Sequence, residues 1–82
     1  MNKYRLIKYA CIDTPEICIP SEFVIGEFEA RKSAIEAKKD CVENQIIYLE
    51  KSDANYSITN DTDTLWSADT TDGHIEIFIE EI

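Results

Sequence analysis

The sequence predicts an α+β domain in which one helix packs on one face of an antiparallel sheet of about five strands, in the order β-β-α-β-β-β. Three observations lead there. The last strand-like stretch sets Ile75, Ile77 and Ile79 at every second position, one central stretch carries helical spacing, and 82 residues suffice for one small core. At that length one helix on one sheet nearly exhausts what a single domain can bury, and a deep enclosed active site is not expected. A hydrophobic content of 44% with only two Gly and two Pro argues for an ordered globule.

The segment Tyr4 to Ile12 (YRLIKYACI) is rich in Tyr, Ile and Leu and alternates imperfectly, as a half-buried first strand does. Pro15 and Pro20 exclude Asp13 to Ser21 from a central strand, so it reads as a broad connection. Phe23 to Ala30 is the second strand. Simple alternation places Val24, Gly26, Phe28 and Ala30 on one face and Phe23, Ile25, Glu27 and Glu29 on the other.

Ser33 followed by Glu36 has the spacing of a capping box, so the helix is expected from about Ser33 to Asn44. Ala34, Ile35, Ala37, Cys41 and Val42 form its apolar stripe, Lys38, Lys39, Asp40 and Glu43 face solvent, and Asn44 is the terminator. Gln45 to Lys51 then reads as a strand, followed by short strands around Tyr56 to Thr59 and Leu65 to Ala68, which with the last strand makes one more than the five-strand order needs. Asp72-Gly73 is a favoured hairpin dipeptide. In the last strand, His74 to Ile82, Ile75, Ile77 and Ile79 share one face and His74, Glu76, Phe78 and Glu80 the other.

The net charge of -9 is unevenly distributed. Every Lys and Arg lies before residue 53, whereas the last thirty residues carry Asp53, Asp61, Asp63, Asp69, Asp72, Glu76, Glu80 and Glu81 with no base among them. Such a one-signed field repels phosphate backbones and anionic membranes and attracts basic protein surfaces. Direct nucleic-acid binding is therefore not expected, and with no run of about 18 apolar residues neither is membrane insertion. Cys11, Cys18 and Cys41 include no CxxC pair, and His74 is the only histidine, so the usual zinc ligands are missing. These cysteines read as reduced, small buried residues of a cytoplasmic protein, with a Cys11 to Cys18 bridge as the alternative in an oxidising compartment.

No catalytic constellation emerges, and neither a cofactor nor a metal is expected. Asp61-Thr62-Asp63-Thr64-Leu65 resembles the DxDxT motif of haloacid-dehalogenase-type phosphatases. That fold also needs a later Lys and further acids, and no Lys or Arg follows Leu65, so a polar turn is expected. As an EF-hand loop the same residues place Trp66 where Gly is required. His74 has no nucleophile at a telling spacing and reads as a surface residue.

Binding is the more natural expectation. Trp66 and Phe78 are candidate anchors, with Asp69, Asp72, Glu76, Glu80 and Glu81 supplying charge around them. The alternative places both rings in the core. Phe28-Glu29-Ala30, Ser33-Ala34-Ile35-Glu36-Ala37-Lys38 and Ile46-Ile47-Tyr48-Leu49 together resemble small phage-encoded anti-CRISPR proteins of the β-β-α-β-β type. The resemblance carries no residue roles. The charge implies an acidic face that occupies a basic, nucleic-acid-binding groove in the manner of a DNA mimic, and the resemblance implies a non-enzymatic inhibitor of a CRISPR effector or similar defence nuclease, in the host cytoplasm. An immunity protein or antitoxin that neutralises a basic toxin is the alternative, and a module that homodimerises through a sheet edge is a third.

Overall fold

A computed structural model describes residues 3–13, 18–53, 55–71 and 73–82. Pro15, Ile17 and Asp72 thus lie outside the described residues. The elements are β1 (Tyr4–Asp13), β2 (Cys18–Phe28), α1 (Arg31–Lys51), β3 (Tyr56–Asp61), β4 (Leu65–Thr70) and β5 (Gly73–Glu81). All neighbouring strands pair antiparallel in one sheet of order β2-β1-β5-β4-β3, which is the α+β architecture expected. The hairpin β1–β2 forms one side and the meander β3–β4–β5 the other. Pairing of β1 with β5 joins them at the centre.

This order makes a demand on α1. The chain leaves β2 at one edge and re-enters at β3 on the opposite edge, so the helix must traverse the whole sheet. Five strands at the usual spacing are about 19 Å across, and 21 helical residues reach about 31 Å. Gln45 to Lys51 is helix and not strand, because Gln45, Ile46 and Leu49 continue the sheet-facing stripe of Ala34, Ala37, Cys41 and Val42 at three- and four-residue steps.

Both helix ends differ from expectation. The chain enters through Ala30, which is extended and makes no side-chain cap, so Ser33 sits inside the first turn and the Ser33–Glu36 capping box does not form. The exit is set by Asp53, with a left-handed φ of 53° that short acidic side chains tolerate, in place of Asn44. Ser52 donates both its backbone N–H and its hydroxyl to the Tyr48 carbonyl, and the Asp53 N–H reaches the Glu50 carbonyl.

The core lies between α1 and one face of the sheet. Leu6, Trp66, Ala68 and Ile77 are its buried centre, with Phe28, Ala37, Cys41, Val42, Ile46, Ile75 and Ile79 packed around them. Strand registers place Leu6 opposite Ile79, and Trp66 opposite Ile77, so the isoleucines of β5 meet the core residues of β1 and β4 under the helix. Lys38 is a correction to the solvent-facing helix residues. It is 4% exposed, and its Nζ donates to the Thr62 carbonyl at 2.8 Å. Burial lowers its pKa, partly countered by nearby Asp61 and Asp63.

β2 corrects the expected alternation. A bulge at Ile25, where the register with β1 shifts between Leu6 and Ile7, adds one residue to the strand and inverts the faces beyond it. Val24 and Glu27 therefore share one face, and Phe23 shares the helix face with Gly26 and Phe28. Pro20 is accommodated because β2 is an edge strand.

The cysteines are also revised. Cys41 is a free thiol, whereas Cys11 is disulfide-bonded and not reduced. No described helix is long and apolar enough to cross a membrane.

Trp66→Ala should destabilise the domain by about 3–5 kcal/mol, the range for emptying a fully buried aromatic site, whereas Ser33→Ala should cost less than about 0.5 kcal/mol because no cap is lost. Urea denaturation of the two variants measures both; a cap-sized loss at Ser33 would contradict the Ala30 entry.

Candidate interaction surface

The sheet face opposite α1 has no described element stacked on it, and the strand registers assemble its side chains into rows. One row runs Val24, Ile7, Phe78, Leu65 across β2, β1, β5 and β4. Ile7 is buried, Phe78 and Leu65 are half-buried and Val24 is 56% exposed, so this is an apolar strip that sinks toward its middle. Flanking it on one side are Glu27, Arg5 and Glu80, and on the other Glu22, Tyr9, Glu76 and Ser67. Glu76 and Glu80 stand about 13 Å apart along β5, and Glu22 and Glu27 lie about 10 Å away on β2, so the four carboxylates frame the strip.

The polar contacts on this face leave most of that charge accessible. Arg5 donates from Nη2 to Glu27 Oε1 at 3.1 Å, an exposed pair of the kind that contributes little to stability. Ser67 is fully buried, its hydroxyl held by the Thr59 hydroxyl at 2.7 Å and by the Asn60 amide at 2.9 Å. These two β3 residues close the β4 side of the face.

His74 occupies the next row. Its Nδ1 lies 2.7 Å from Asp69 Oδ1 and its Nε2 lies 3.4 Å from Glu76 Oε1. The Asp69 hydrogen bond, aided by Glu76 and opposed by partial burial, raises the His74 pKa above its ordinary 6.5. The lone histidine is thus a charge compensator between two acids. Among the described residues no group of three or more acids, cysteines and histidines is arranged to hold a metal ion.

The residues singled out in the sequence separate into four fates. Asp69, Glu76, Phe78 and Glu80 come together on the open face. Trp66 is 1% exposed under the helix and has no surface to offer, so of the two rings only Phe78 lies on the open face. Glu81 has the parity of the core-facing isoleucines and lies at the sheet end on the other side. Asp72 is outside the described residues. Sequence reading missed Glu22, Val24, Glu27, Ile7 and Tyr9. The bulge concealed the β2 residues, and imperfect alternation concealed the β1 pair.

The DxDxT-like segment is the polar β3–β4 turn expected. Thr62 and Leu65 close it through Thr62 N–H to the Leu65 carbonyl at 2.8 Å and Leu65 N–H to the Thr62 hydroxyl at 3.0 Å. The Thr62 carbonyl is also the acceptor for Lys38.

No known protein family matches the chain, and neither a curated protein nor a solved structure does.

A raised His74 pKa has a defined sign. Protonated His74 is favoured in the folded state, so its stabilising effect is complete below pH 6.5 and fades as pH rises through the raised value. The stability difference between wild type and His74→Gln, measured by denaturation from pH 5 upward, should shrink across that window; a difference that is constant or grows with pH would contradict the pairing.

Proposed function

We propose that this protein is a non-enzymatic inhibitor that docks its open, acid-framed sheet face on the basic nucleic-acid-binding surface of a defence nuclease, of which a CRISPR effector is the first to test. The observation that carries this is the row Val24, Ile7, Phe78, Leu65 enclosed by Glu22, Glu27, Glu76 and Glu80. A desolvated aromatic anchor within a charged rim is the arrangement that concentrates binding energy at protein interfaces. The carboxylates steer a basic surface into contact and raise the association rate.

The acids form a frame around apolar residues and not an unbroken line. That favours a protein surface with lysines and arginines around an apolar centre over close imitation of a phosphate backbone. Occupation of such a surface excludes nucleic acid by competition, with no chemistry required of the inhibitor.

A second reading is favoured by one specific observation. The disulfide at Cys11 suits an oxidising compartment, where the same face would neutralise a basic toxin. Dithiothreitol separates the two settings: an inhibitor working in the reducing cytoplasm must keep its binding after reduction.

Purified effector complex, incubated with the protein and then with target DNA in a gel-shift assay, tests the leading reading. Wild type should abolish DNA binding, Phe78→Ala should weaken inhibition about thirtyfold, the cost of removing an interface hot spot, and Glu76→Lys/Glu80→Lys should weaken it at least as much. Glu36→Lys on the exposed side of α1 should leave inhibition unchanged. Equal inhibition by all variants, or none by wild type, would overturn the assignment.

A further inference from the structure

We infer that the outer edge of β2 receives an extended, basic segment of the partner as a sixth strand. This rests on the proposed docking face and names the contact that continues it beyond the sheet.

β2 is an end strand, and among the described residues nothing pairs with its outer side. Edge strands are ordinarily guarded against such pairing by lysine, proline, bulges or shortness. β2 carries two of these guards, Pro20 and the bulge at Ile25, but between and beside them it exposes Phe23 (58%), Val24 (56%) and Ile25 (46%). A stretch apolar on both faces is an unusual outer edge, and it has no lysine or arginine from Cys18 to Phe28. Pro20 lacks the N–H that pairing needs and the bulge interrupts the ladder, so regular pairing is confined to Ser21 through Val24. The two guards thus admit a short segment and oppose open-ended stacking.

Charge says what kind of segment. Glu22 and Glu27 stand at either side of Val24 on the open face, and exposed Glu29 follows the strand. A second copy of β2 would bring these acids against their own equivalents. A strand with Lys or Arg at alternate positions meets them instead, and so extends the acid frame's pairing past the sheet. On the helix side its apolar residues would lie beside Phe23 and Ile25, next to an open groove of about 680 Å³ between α1 and the sheet, lined by Ile25, Ala37, Cys41 and Tyr48 among others. This alternation of basic and apolar positions on a backbone ladder is the logic of strand-addition recognition.

The test uses the full chain with two capped octapeptides, one alternating Lys and Val and one alternating Glu and Val, and reads amide hydrogen exchange residue by residue. The Lys/Val peptide should slow the outward amides of Ser21 to Val24 by at least about tenfold. The Glu/Val peptide should have no effect, and Phe23→Lys/Ile25→Lys, at two exposed positions off the docking face, should abolish the slowing while leaving the circular dichroism spectrum unchanged. The inference is overturned if neither peptide slows these amides, if both slow them equally, or if the slowing falls on β3. It is also overturned if the protein alone doubles in mass with the same amides already slow, which would make a second copy the occupant. An effector inhibited equally by wild type and by Phe23→Lys/Ile25→Lys, but not by Glu76→Lys/Glu80→Lys, would remove the sixth strand and keep the docking face.

Discussion

A five-stranded sheet has two faces, and this chain has one helix to cover them. An α-helix with its side chains is about 10 Å across, so α1 can seal only one face. The rest of the molecule answers that constraint. Leu6, Trp66, Ala68 and Ile77 gather under the helix, and the opposite face keeps what a sheet needs to remain folded in water: charge at the margins and an apolar strip sunk in the middle. Ile7 shows the compromise. It belongs to the uncovered face and is nevertheless buried, because its neighbours across and along the strands shield it.

Topology reinforces the same division. Since β5 returns to pair with β1, the most acidic part of the chain enters the centre of the sheet and not a dangling edge. Its alternation then sends Ile75, Ile77 and Ile79 inward and Glu76, Phe78 and Glu80 outward. Asp69, Glu76 and Glu80 of the last third thus face the open side, whereas Glu81 lies on the other side and Asp61 and Asp63 lie near Lys38 of the helix. His74 between Asp69 and Glu76 moderates the repulsion where three charged groups crowd together.

How much of this was legible beforehand differs by element. β5 was readable because both its faces are chemically distinct, and β1 was readable as a strand but not as faces, since Arg5, Ile7 and Tyr9 are no more polar than Leu6, Lys8 and Ala10. The helix was cut short at Asn44 because Ile46, Ile47 and Tyr48 have strand propensity. Tertiary context overrode propensity there: Gln45, Ile46 and Leu49 continued the helical stripe that packs on the sheet. For the open face, Phe78 and its flanking acids followed from period-two alternation alone. Glu22, Val24 and Glu27 did not, because a single inserted residue at a bulge reverses every assignment beyond it. Trp66 was ambiguous in principle, since an aromatic at a strand position fits a core or an interface equally well until the register says which side it faces.

Hydroxyl-radical footprinting of the protein free and bound to an inhibited nuclease tests most directly that the face away from the helix is the one that binds. Val24, Tyr9 and Phe78 should be oxidised in the free protein and protected in the complex, while Ile47 on α1 and Ile58 on the helix side of β3 should react equally in both. Protection of Ile47 and Ile58 with Val24 and Phe78 unchanged would place the partner on the opposite side of the molecule and contradict the account.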